Sequence, residues 1–70
     1  MSEQFAVNDY VTINVNFNRN TGKCDVVARD SRTTTTLNKS LDLFIYNDLV
    51  DFFRKNTYQW AMNEANQTFG

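Results

Sequence analysis

Histidine and proline are absent from this 70-residue chain, cysteine occurs once, at Cys24, and glycine twice, at Gly22 and Gly70. One thiol cannot close a disulfide within the chain, and without imidazoles it cannot complete a four-ligand zinc site. A cysteine nucleophile needs a base or an electropositive setting. No imidazole supplies one, and Lys23, next in sequence, falls on the opposite face of an extended segment, so Cys24 reads as a core residue. Two glycines leave no loop to cradle a phosphate, and no dinucleotide, P-loop or calcium-loop spacing occurs. Asp48 and Asp51 lie one turn apart on an expected helix, where acids near the start compensate the helix dipole. The chain therefore reads as non-enzymatic, with no cofactor and no metal.

Long hydrophobic runs are missing too, so no segment reads as a membrane span. The N-terminal MSEQFAVNDY has neither the basic start nor the apolar stretch of an export signal, which places the protein in the cytoplasm, or in the host-cell interior if it is viral. Asn38-Lys39-Ser40 and Asn66-Gln67-Thr68 match the glycosylation pattern, but by chance in that compartment. Excess positive charge is lacking as well: the net charge is −1. No global attraction to nucleic acid follows. Locally the balance differs, because Arg19, Lys23, Arg29, Arg32 and Lys39 are opposed within their own stretch only by Asp25 and Asp30.

What is present is an ordinary globular composition, 41% hydrophobic and 21% charged, which argues against disorder. The length allows one small domain, residues 1–70, with a thin core and loose ends at 1–8 and 67–70. Residues 10–17, YVTINVNF, alternate apolar and polar side chains and predict a half-buried strand. NRNTG follows as a turn with Gly22 available for positive φ, and KCDVVAR returns as a second strand in a hairpin. RDS is a further turn, and RTTTTL, residues 32–37, reads as a third strand because threonine is β-branched. NK turns the chain again, and SLDLFI, residues 40–45, alternates as a fourth strand. The rival reading starts the helix at Ser40. From Tyr46 or Asn47 the period becomes helical, with Tyr46, Leu49, Val50, Phe53, Thr57, Trp60 and Ala61 on one stripe. The expected fold is α+β: a four-stranded antiparallel meander with one long C-terminal helix on one face, ββββα in two layers.

That layout leaves one sheet face uncovered. Thr12, Asn14, Asn16, Asp25, Val27, Arg29, Asp42 and Phe44 would line it, with two of the four threonines. A solvated face is ordinary in antiparallel sheets. Val27 and Phe44 nonetheless add apolar area where polar residues would serve, as on a docking platform. The threonine run itself reads most simply as a polar edge strand. On the helix, Phe52 lies off the stripe and Tyr58 pairs with Met62 at i, i+4. They are either half-buried flanks or a surface for self-association.

Two functional readings follow. In the first, a small non-catalytic protein docks on another protein through Phe44, Phe52, Val27, Asn14, Asn16 and Tyr58, modulates it, and forms a homodimer. Its size and asparagine-rich composition fit the regulators and inhibitors common among phage and mobile-element proteins. In the alternative, Arg19, Lys23, Arg29, Arg32 and Lys39 track a phosphate backbone while Phe44 or Tyr10 stacks on the bases of a single strand.

The stretch KSLDLFIYNDLVDFF, residues 39–53, runs a last strand straight into the helix. In this layout it resembles the single-stranded-DNA-binding transcription coactivators, which have four antiparallel strands followed by a helix. The resemblance implies dimerisation and DNA binding by basic residues on the sheet. The expected sheet face departs from that pattern, since it carries acids and few cations.

Overall fold

The computed structural model describes residues 2–69. Four strands precede two helices: β1 (Ser2–Ala6), β2 (Val11–Asn18), β3 (Lys23–Asp30), β4 (Thr36–Asp42), α1 (Leu43–Lys55) and α2 (Ala61–Thr68). The strands form one antiparallel sheet in the order β1-β2-β3-β4, so the class is α+β.

The central hairpin forms where the alternation predicts it. Val11, Ile13 and Val15 of β2 and Cys24, Val26 and Ala28 of β3 are buried together. Its turn is fixed locally: Asn18 Oδ1 accepts the Asn20 N–H at 3.0 Å, and Gly22 adopts φ 71°. A side chain at that φ would be strained, which explains the glycine.

Three expectations about the strands change. The segment expected as a loose N-terminus forms β1, paired to β2 from Ser2↔Asn16 to Ala6↔Thr12; Met1 and Gly70, which were included in the loose ends, lie outside the described residues. The threonines do not form a strand of their own. Asp30 holds the chain in a turn there, because its Oδ1 accepts the Arg32 N–H at 2.7 Å and the Thr33 hydroxyl accepts the Thr35 N–H at 3.3 Å. Only Thr36 enters a strand. β4 then runs unbroken through Asn38 and Lys39, where a turn was expected, in register with β3 from Thr36↔Arg29 to Asp42↔Lys23.

The helix also departs from expectation. It starts at Leu43, so residues 43–45 are helical rather than extended and neither Asp48 nor Asp51 lies in the first turn. It does not continue as one long helix. At Asn56 the backbone is extended (φ −125°, ψ 101°), and the Asn56 backbone N–H and Nδ2 both donate to Phe52 O at 2.9 Å. Asparagine competes with the helical pattern by such local bonds. The second helix resumes at Ala61.

Tyr46, Leu49, Val50 and Phe53 of α1 and Ala61, Met62 and Ala65 of α2 close the core against the sheet side chains, Leu37 and Leu41 of β4 among them. α1 contacts β3 and β4, and α2 contacts β4 and α1. Phe17 and Tyr46 meet edge to face at 5.7 Å between ring centroids. Asn8 ties the β1–β2 loop to the helix layer: its Nδ2 donates to Phe53 O at 2.7 Å, while its Oδ1 accepts the N–H groups of Tyr10 and Val11.

Candidate functional site

Antiparallel register arranges the outer sheet face in rows. One row runs Gln4–Asn14–Val27–Asn38, a second Ser2–Asn16–Asp25–Ser40, and a third Ala6–Thr12–Arg29–Thr36. Asn14, Asn16, Asp25 and Arg29 are exposed and Val27 is half-buried among them. A shallow depression lies on this face between Gln4, Asn14, Asn16, Asp25 and Val27. Lys23 Nζ binds Asp42 Oδ1 at 2.7 Å at its far end, in an exposed pair. The face is flat, mostly uncharged and rich in amides, as expected for Thr12, Asn14, Asn16, Asp25, Val27, Arg29 and Asp42.

Phe44 belongs elsewhere. It stands in the first turn of α1, 82% exposed, between Leu43 at 50% and Ile45 at 39%. Three consecutive apolar residues cannot all face inward on a helix, because neighbours are about 100° apart. Asp42 caps this turn by position only: no side-chain bond joins it to the helix, because its carboxylate holds Lys23. The most exposed of the large apolar side chains therefore sits at the end of the molecule beside the β2–β3 hairpin. Reading residues 40–45 as a strand hid this patch; the run Leu43-Phe44-Ile45, which breaks alternation, was the available signal.

A second group gathers at the opposite end. Arg32 lies over the Tyr10 ring, 3.7 Å from its centroid, and binds Asp30 through Nε and a terminal nitrogen at 3.2 and 3.0 Å. It also donates to Tyr58 O at 3.3 Å. Asp30 is only 4% exposed, and these hydrogen bonds hold its carboxyl below the usual carboxylate range although burial opposes that shift. The Tyr58 ring lies 4.8 Å from Trp60, which is 65% exposed. Trp60 was expected on the core stripe; the break at Asn56 rotates it out.

The remaining residues of interest are dispersed. Phe52 is half-buried between Phe53 and Phe69, with centroids 5.5 and 5.9 Å away, and Met62 is buried. Their use is packing, which leaves Tyr58 alone of that group near an exposed aromatic. Of the five cations, Lys23 and Arg32 are each paired with an acid. Arg19 lies in the hairpin turn, Arg29 on the outer sheet face, and Lys39 is half-buried on the helix-covered face, opposite Arg29. They do not form one track.

Cys24 is buried, and its thiol pKa is raised by that burial and, secondarily, by Asp25 and Asp42. Nothing there favours a thiolate. Among the described residues no group of three or more acids or thiols could hold a metal ion, and no buried side-chain polar atom lacks a hydrogen bond. No helix is long and apolar enough to cross a membrane. Comparisons with known proteins find no family model, no curated protein and no solved structure that matches the chain.

Proposed function

We propose that the protein is a small non-catalytic binding protein that docks on another protein, inside the cell, and regulates or inhibits it. The observation that carries the reading is the exposed turn Leu43-Phe44-Ile45, an apolar patch that the fold does not use. Exposed apolar clusters of this kind serve recognition, and aromatic anchors dominate binding energy. The flat, amide-rich sheet face around Val27 gives a second, hydrogen-bonding surface. The chain also self-associates as a homodimer in this reading, which fits its thin core.

The single-strand reading has less support. Its five cations are split between ion pairs and opposite faces, and phosphate neutralisation is the main source of non-specific nucleic-acid affinity. What favours it is the Tyr10–Arg32 stack beside Trp60.

The test is affinity capture from native host extract with the wild type and Phe44→Asp, each with and without nuclease. Phe44 is so exposed that the substitution leaves the fold intact. A stoichiometric protein retained through nuclease and lost with Phe44→Asp is the expected result. Equal capture by both forms would overturn the docking assignment, and loss of every partner on nuclease treatment would favour nucleic acid.

A further inference from the structure

β1 is an edge strand whose outer side is unoccupied among the described residues. The Val7 N–H donates to Val11 O at 2.9 Å. Bonding alternates along an antiparallel pair, so the N–H and C=O groups of Ser2, Gln4 and Ala6 point away from β2. The same parity holds across the sheet, since the Ser31 N–H meets Tyr10 O at 2.9 Å. On the helix side of this edge a groove opens between β1 and α1, lined by Glu3, Phe5, Phe17, Val50 and Arg54. Leu43, half-exposed, continues the same line of α1, seven residues before Val50. Glu3 and Arg54 both act on the Tyr46 hydroxyl in this groove: burial raises its pKa most, Glu3 raises it further and Arg54 lowers it.

We propose that the homodimer forms by antiparallel pairing of β1 with the β1 of a second copy, across a two-fold axis at Gln4, giving a continuous eight-stranded sheet. The proposal rests on the self-association in the function proposed above and supplies its geometry. Centred on Gln4, the five residues of β1 pair completely: Ser2 opposes the partner's Ala6, Gln4 the partner's Gln4, and Glu3 the partner's Phe5. Each outward pair exchanges two backbone bonds. An isologous contact uses strand and groove twice, once from each copy.

Charge selects the occupant. An acid pointing into the covered face of an edge strand deters indiscriminate pairing. Here Glu3 favours a strand whose own molecule brings a further cation to that side of the edge. A second copy does so, because Glu3 of each then lies against the partner's groove, whose cation is Arg54. A foreign extended peptide carries no such residue by necessity.

Sedimentation equilibrium of the full chain tests the proposal. The contact is small, so dissociation is expected at roughly 0.1 mM. Gln4→Pro removes an N–H that points to solvent in the monomer and is tolerated there, while the dimer should be lost. Glu3→Arg should weaken association about tenfold, and Glu3→Arg with Arg54→Glu should restore it. In hydrogen exchange, the Gln4 and Ala6 amides should be protected only at high concentration. A wild type that stays monomeric up to about 1 mM overturns the pairing and self-association together. A dimer that survives Gln4→Pro, or a charge swap that fails to restore association, overturns the β1 pairing and leaves self-association by another surface. Should Gln4→Pro not fold, the charge swap and the amide protection decide the matter. Docking through Phe44 is independent of every outcome.

Discussion

The two edges of the sheet are built from comparable strands and end in opposite conditions. β4 lies beneath both helices, with Leu37 and Leu41 buried. Its outward carbonyl at Thr36 accepts a hydrogen bond from Asn66 Nδ2 of α2 at 3.1 Å, and Lys39 sets a half-buried cation on its covered face. β1 has Phe5 half-buried against the core, with a groove between it and α1. Edges are where sheets extend or aggregate, and native proteins close them with charges or covering elements. The same sheet therefore has one edge held beneath both helices and tied to α2 at Thr36, and one edge without such a tie. Forming a strand requires a partner on one side only; protecting it requires a partner on the other.

Breaking the shared support should erase the difference altogether. Phe53 is fully buried, at the point where α1, Asn8 and Phe52 meet. Phe53→Ala should cost about 3–5 kcal/mol and unfold much of so small a domain, read in urea melts. Leu37→Ala on β4 should cost about 2–5 kcal/mol, whereas Phe5→Ala on β1 should cost roughly half the loss of a buried phenylalanine, because Phe5 is only partly enclosed. Equal losses at the two positions would mean that β1 is held as firmly as β4.

The turn that feeds β4 depends on Asp30, and its pH response has a definite sign. The folded carboxyl has a lowered pKa, so its stabilisation is present above the ordinary aspartate range and is lost as pH falls through the folded value. Asp30→Asn should cost roughly 1–3 kcal/mol at neutral pH. It should also flatten the loss of stability below about pH 4, measured by urea midpoints across the acid range. An unchanged acid slope would show that other carboxyls govern it. The smallest effect is expected at Trp60→Ala, within about 1 kcal/mol, because the side chain is largely in solvent. A loss near that of Phe53→Ala would place Trp60 in the core after all.

The legibility of these regions followed their dependence on distant residues. β2 carries four inward apolar residues at period two and β3 three, so their pattern survives without knowledge of a neighbour. Ser2–Ala6 offers only Phe5 as an inward apolar anchor, and its strand exists because β2 presents free backbone groups to it. The threonines show the reverse error: β-branching favours a strand, but the carboxylate of Asp30 fixes a turn first. Of the surfaces, the amide grid around Asn14, Asn16 and Val27 was readable from alternation alone. Phe44 was rightly singled out as exposed yet placed on the wrong element. Trp60 was missed because a periodic stripe gives no warning that Asn56 will end the helix.

By itself the sequence determined the α+β class, the central hairpin and the inward face of α1, since these follow from residue type and local spacing. Only the tertiary structure decided that Ser2–Ala6 is a strand, that Asn66 ties the β4 edge at Thr36, and that Leu43, Phe44 and Trp60 face solvent. The reason is physical: alternation and helical period are set by the backbone within a few residues. Edge occupancy and exposure depend on which elements the core brings within hydrogen-bonding and van der Waals range, a matter settled between residues far apart in the chain.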